Sequence, residues 1–426
     1  MLFVVVIAFA GCQKPNNVDS SGPPTSLAEV PAVRLNYRYE ADVPPPTEPA
    51  KAPDDERNAA ISADFDQRRQ DEILDRTLVS PDAKRIVAVY RRQTDLTSEF
   101  RLDMYSAEGN LLRKMTADQM AVHFPDTIRW SPDSANVAFV AMLRGFQQEP
   151  LTAATPPELL SNTANSNAVD PEQNAAADSN ANANVETPVG EPTPLAPAGI
   201  LTFRTEQIYI SNSEGEGVKP ITQNDGLIYF YYTWAPDSSG LAALAATQRE
   251  WQYLQFQAET RGEIYVPVGR PRMVEKNGRE RRLDDALTAV HPVWSPDSSK
   301  IACGYDKQIR VYDAGVLNPT QAAIPLRNQL LISSQAFDRD QQQKLNAENG
   351  QTEAVAQTNE SNTATTLPDE RTLVSFNPIV SLAWTSDDLL YFQTAFVKRM
   401  KKEADSVMSF PRWHRLVFSP QPEQGK

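Results

Sequence analysis

The chain has 426 residues, 33 of them proline, and a formal net charge of −14. That length accommodates two or three average domains or one large repeat domain. The acidic balance excludes non-specific nucleic-acid binding, which needs a cationic face to displace counterions.

Residues Leu2–Ala10 form an uncharged apolar run too short to span a bilayer as a helix. It closes on Phe9-Ala10-Gly11-Cys12, small residues before a cysteine. This resembles the lipobox of bacterial lipoproteins, with Phe in place of the usual Leu. The resemblance implies lipidation of Cys12 and a chain that hangs from a membrane surface. Gln13 follows Cys12 where an Asp would imply inner-membrane retention. The expected location is therefore the outer membrane, facing the periplasm. Residues 13–60 then read as a Pro-rich tether. Within it, Val33–Glu40 alternates apolar and polar residues, the period of a half-buried strand.

The region 61–426 is organised by a repeat. Its copies are Val79-Ser80-Pro81-Asp82, Trp130-Ser131-Pro132-Asp133, Trp234-Ala235-Pro236-Asp237, Trp294-Ser295-Pro296-Asp297 and Trp384-Thr385-Ser386-Asp387. An apolar run follows each, for example Ile86–Val89, Val137–Val140, Leu241–Leu244, Ile301–Cys303 and Leu389–Phe392. A further strand signature comes next: Arg101–Tyr105, Gln207–Ile210, Glu263–Val266, Gln308–Tyr312 and His414–Phe418. Two low-complexity inserts, 149–197 and 335–370, interrupt the series. The first is mostly Ala, Asn, Ser and acids around Ser161–Glu186, which cannot offset its ordering entropy. In the second, Gln335–Ala347 has the pattern of a short helix.

The Asp-to-Asp spacings are 51, 104, 60 and 90 residues, and removing the inserts leaves a period of about 50–60. That period fits a four-stranded propeller blade. The Trp suits packing between blades. The Pro presets the first corner of a tight turn, and the Asp bonds that turn's backbone. The expected fold is all-β: a β-propeller of about five four-stranded blades, six if one has lost its motif. The three strands recognisable in the last copy predict that Val33–Glu40 supplies its fourth.

These residues resemble the WD40-like propeller repeats of the TolB family, whose motif reads W-S-P-D-G followed by Ile-Ala-Phe. The resemblance covers residues 72–418 apart from the inserts and implies fold more than function. Two departures stand out. The Gly after the Asp is replaced by Ala83, Ser134, Ser238, Ser298 and Asp388, which argues against a positive φ there. The segment before the propeller is also too short for the α/β domain that TolB carries.

For chemistry, the histidines are His123, His291 and His414. His123 and His291 share an Ala-Val-His context before a repeat Trp, and Tyr231 lies in the aromatic run Tyr229–Tyr232. Together His123, Tyr231 and His291 form the candidate binding face at the channel mouth. No nucleophile elbow, phosphate loop or zinc spacing accompanies them. No cofactor, metal or catalytic residue is expected. Cys303 reads as a small buried thiol. Basic runs at Arg270–Arg282 and Lys398–Lys402 read as solvated loops, the sharper alternative being a contact with anionic envelope material such as lipid headgroups or an acidic protein partner. The expected role is a lipid-anchored envelope scaffold that binds a protein or polymer partner. The rival is a propeller lyase or hydrolase acting at the channel mouth.

Overall fold

The computed structural model describes residues 26–47, 57–143, 205–315, 318–348 and 367–420. Cys12, the insert at 149–197 and residues 349–366 lie outside them. The Pro-Asp turns set the architecture. In each, the Asp carboxylate accepts the backbone N–H two residues on: Asp82 from Lys84, Asp133 from Ala135, Asp237 from Ser239 and Asp297 from Ser299. This local bond reverses the chain and starts a hairpin.

Five antiparallel sheets result. Blade 1 comprises Glu72–Val79, Arg85–Arg92, Arg101–Ser106 and Leu111–Lys114. Blade 2 comprises the broken first strand Met120–Ala121 and Arg129–Trp130, then Asn136–Leu143, Gln207–Asn212 and Lys219–Pro220. Blade 3 comprises Leu227–Trp234, Gly240–Thr247, Arg270–Glu275 and Glu280–Arg282. Blade 4 comprises Val293–Trp294, Lys300–Tyr305, Gln308–Asp313 and Gln321–Pro325. Blade 5 comprises Ile379–Ser386, Leu389–Lys398 and Val407–Pro420, with Leu35–Glu40 antiparallel to the last strand from Leu35↔Pro420 to Glu40↔Arg415. The fold is a five-bladed β-propeller arrangement.

Strand alternation sends successive side chains to opposite faces, so each blade feeds two cores. Val87, Val89, Leu102 and Met104 of blade 1 meet Val137, Phe139 and Ala141 of blade 2. Val140 and Ile208 meet Tyr229, Leu241 and Ala243. Met273 and Ala242 meet Ile301, Cys303 and Tyr312. Ile309 and Val311 meet Leu382, Leu390, Phe392 and Leu416.

The series does not continue from blade 5 to blade 1. The outer face of blade 1, with Ile86, Ala88, Tyr90 and Tyr105, is covered by Ile61 and Phe65 of helix α1 (Ala59–Arg68). The far face of blade 5 is half-buried and mixed in character, with Tyr391, Gln393 and Arg415 beside Leu389, Trp413 and Val417. Among the described residues, no backbone hydrogen bond or buried apolar cluster joins blade 5 to blade 1.

Several expectations are corrected. The residue after the Asp has positive φ: 59° at Ala83, 60° at Ser134, and 62° at Ser238 and Ser298. The serines offset that strain across the blade boundary. Ser134, Ser238 and Ser298 Oγ accept the backbone N–H of Asp82, Asp133 and Asp237 in the preceding blade, at 3.0, 3.1 and 3.0 Å. Glycine could fill the conformation but could not make the bridge.

The third strand of blade 3 is Arg270–Glu275, not Glu263–Val266. Helix α2 (Gln248–Thr260), nucleated by a Thr247/Glu250 capping box, occupies the link and displaces the strand. The basic run Arg270–Arg282 is therefore a paired hairpin. Arg270 and Arg272 are neutralised by Glu250 and Glu280 at 2.7 and 2.5 Å. The short helix expected at Gln335–Ala347 is present, but as the C-terminal part of a longer helix α3 (Arg327–Glu348) whose first turns bury Leu330, Leu331, Ser333 and Ser334. The equivalent repeat positions predict four largely buried tryptophans; Trp234 and Trp294 are buried at 7% and 6% exposure, but Trp130 and Trp384 are only half-buried.

Candidate functional site at the channel mouth

In a propeller the first strand of each blade lines the central channel. Links between second and third strands, and between blades, leave from one end of that channel. The tight Pro-Asp turns leave from the other. The open end carries α2, α3 and the 398–407 turn of blade 5. His123 and His291 belong to this end.

Tyr231 and His291 occupy matching places, three residues before Trp234 and Trp294 in blades 3 and 4. Their rings stack with centroids 3.7 Å apart at an interplanar angle of 11°. A bulge between Tyr229 and Tyr231 re-aims the Tyr231 side chain. His291 keeps a solvent-exposed edge while its ring face lies on Tyr231. Burial, reinforced by the Arg129 guanidinium, holds His291 below its ordinary pKa, so it is a neutral imidazole at pH 7. Burial pushes the Tyr231 phenol up, opposed by Arg129.

Arg129 comes from the first strand of blade 2 and is exposed. Among the described residues, no acid pairs with it and no side-chain hydrogen bond holds it. Three neighbouring blades thus contribute an exposed cation, a stacked phenol and a neutral imidazole, with Arg129 near enough to act electrostatically on both rings. Arg129 was not singled out from the sequence. Its signal is the residue before the repeat Trp or Val: Leu78, Arg129, Thr233, Val293 and Ala383, of which only Arg129 is charged.

His123 lies elsewhere. It sits seven residues before Trp130, separated from it by the 3-10 turn Pro125–Thr127. Its Nδ1 is 2.9 Å from Glu206 Oε1, and its Nε2 is 3.7 Å from Glu99 Oε1. Glu206 is buried at the seam between blades 2 and 3, where its carbonyl accepts the Tyr229 N–H at 3.0 Å. His123 thus belongs to a carboxylate-paired seam, and the shared Ala-Val-His context does not put it in the Tyr231–His291 stack.

His414 is fully buried in blade 5. Its Nδ1 meets Tyr39 Oη at 3.0 Å and its Nε2 meets Thr394 Oγ1 at 3.1 Å. The repeat residues are structural. Trp130, Trp234 and Trp294 Nε1 donate to the carbonyls of Leu78, Arg129 and Thr233 in the preceding blade, at 3.1, 3.3 and 3.2 Å. Trp384 instead donates to Asp387 in its own turn. Pro81, Pro132, Pro236 and Pro296 hold the turns beside Asp82, Asp133, Asp237 and Asp297. Asp387 Oδ1 accepts the Asp297 N–H at 3.2 Å.

No three His, Cys, Asp or Glu side chains group as a metal site among the described residues. Neither His123 nor His291 is hydrogen-bonded to a hydroxyl or thiol nucleophile there. No described helix is long and apolar enough to cross a membrane.

No family model matches the chain, and no curated protein matches it. Solved structures similar to it include an oligogalacturonate lyase in complex with manganese, at 11% identity and a TM-score of 0.34, covering 82% of this chain and 65% of that one. An oligogalacturonate lyase from Vibrio parahaemolyticus has 11% identity and a TM-score of 0.34, over 84% and 68% of the two chains. A prolyl endopeptidase structure has 8% identity and a TM-score of 0.32, over 88% and 40%. The chain thus spans less than two thirds of the first lyase and of the endopeptidase. At these values the likenesses carry no argument about activity.

Proposed function

We propose that this chain is a lipid-anchored envelope propeller, of the TolB-like repeat kind, that binds a protein or polymer partner at the open end of its channel. The rim of Arg129, Tyr231 and His291 carries this reading. A flat stacked pair beside an unpaired guanidinium suits an extended ligand with a planar or anionic group. It lacks the hydrogen-bonded base and nucleophile that covalent hydrolysis requires. The lyase or hydrolase alternative has weaker support: His123 has an orienting carboxylate in Glu206, but no reacting group faces it among the described residues.

On this reading, a lipid on Cys12 holds the propeller on the periplasmic side of the outer membrane. Two experiments test the proposal. Cys12→Ala, expressed with a working export signal, should move the protein from the membrane to the soluble fraction. Crosslinking from membranes should capture a partner that Arg129→Ala together with Tyr231→Ala releases, with circular dichroism showing that the double variant stays folded. Capture indifferent to both substitutions would refute the site.

A further inference from the structure

The hairpin of blade 5 runs past the sheet that holds it. Its register continues beyond a bulge at Thr394/Phe396 to Phe396↔Ser409, Val397↔Met408 and Lys398↔Val407. Up to Ala395 the strand alternates into the core, and beyond that point no other described residue buries it. Phe396, Val397, Val407, Met408 and Phe410 are 46, 40, 46, 56 and 38% exposed. The arm rests on the loop after α2, where the Ile264 N–H donates to the Arg399 carbonyl at 3.0 Å. That loop adds Ile264 and Val266, themselves 49% and 44% exposed.

Cations cap this apolar tip. Lys398, Arg399, Lys401 and Lys402 are all exposed, and among the described residues only Lys398 is ion-paired, with Glu263 at 3.6 Å. The acids that follow are Glu403 and Asp405, which leaves the tip cationic in a chain whose net charge is −14.

We propose that the arm around Phe396–Phe410 docks the propeller onto an anionic lipid surface. The charge of the tip complements such a surface and opposes that of the rest of the chain. Exposed apolar groups lie on both faces of a two-stranded arm. Val397 and Met408 point one way, and Phe396 and Val407 the other. A protein groove would cover one face and leave the other in water, whereas immersion at the headgroup boundary covers both. The long basic side chains keep their charges at headgroup level while their stems lie along the apolar surface. The arm leaves the open end of the propeller, so docking turns the channel mouth toward the bilayer. This does not depend on lipidation of Cys12.

The test uses the full-length Cys12→Ala chain, so that no acyl anchor contributes. Co-sedimentation is measured with vesicles of phosphatidylcholine alone and of phosphatidylcholine with phosphatidylglycerol. The protein is expected to bind only the anionic vesicles. Each basic residue contributes about fivefold to partitioning, so Arg399→Gln with Lys401→Gln and Lys402→Gln lowers it by about a hundredfold. Phe396→Ser with Val397→Ser and Met408→Ser abolishes it, with the thermal melt unchanged because these side chains are exposed. Failure to bind anionic vesicles overturns the proposal, as does binding that neither variant weakens. Retention on polyglutamate without vesicle binding also overturns it and assigns the arm to an acidic protein.

Discussion

Ser238 sits at φ 62°, a conformation that costs a non-glycine residue about 1–2 kcal/mol. Its hydroxyl accepts the Asp133 N–H, a bond contributing about 1 kcal/mol. Ser238→Ala keeps the strain and loses the bond, so urea unfolding should report a loss of about 1 kcal/mol. Ser238→Gly loses the bond and the strain together and should stay within about 0.5 kcal/mol of the parent, apart from chain entropy. Equal losses for both would show that the φ strain contributes nothing, and an unchanged stability in Ser238→Ala would show that the bridge contributes nothing. The tryptophans divide in the same way. Trp294, buried and bonded to Thr233, should cost about 3–5 kcal/mol on replacement by Ala. Trp384 is half-buried and bonded within its own turn, so its replacement should cost less than half as much.

The N-terminal strand is held by specific polar contacts as well as by its ladder. Arg412 is buried, bonded to both Asp42 carboxylate oxygens at 2.7 and 2.8 Å and to Ser334 of α3 at 2.8 Å. Its guanidinium also lies over the Phe337 ring at 4.6 Å. Asp42→Ala strands that charge and should cost about 2–3 kcal/mol, below the full buried-pair figure because Asp42 is 39% exposed. His414 beside it is pushed down to about 4, first by burial and then by Arg412. The unfolded imidazole titrates near 6.5, so between these values the unfolded chain binds the extra proton. Stability is therefore intact above about pH 6.5 and falls as pH drops toward 4, by roughly 3 kcal/mol in all. His414→Gln should flatten that part of the stability–pH curve. Removing residues 28–45 should expose the outer edge of blade 5 and cause aggregation, visible by light scattering.

At the scale of the whole molecule, the hydroxyl bridges run in one direction and stop. Asp82 bonds Ser134, Asp133 bonds Ser238, Asp237 bonds Ser298, and Asp297 bonds Asp387. The next link in a sealed ring would fall on Ala83, which has no hydroxyl. Ala83→Ser restores the residue type used by blades 2 to 4 and should leave the melting temperature unchanged, since no described backbone hydrogen bond joins blade 5 to blade 1. A rise matching the loss in Ser134→Ala would show a sealed boundary.

The sequence by itself determined the blades. The Pro and Asp positions act through bonds spanning two to five residues, and apolar alternation is a local property, so both survive in a linear reading. The alternation at 33–40 likewise marked a strand, although its partner lies about 380 residues away. Helix α2 had its capping box in plain view at Thr247 and Glu250, yet Glu263–Val266 imitates a strand well enough to hide the true one. What only the tertiary structure decided is which side chains meet. Arg129 joins Tyr231 and His291 because three blades converge there, while His123, in the same local context as His291, is drawn to Glu206. The positive φ at the serines is maintained by a neighbour 52 to 105 residues away. The open boundary depends on α1 covering the face where another blade would pack. No local pattern records such contacts, because their free energy comes from surfaces that come together only after the strands have formed.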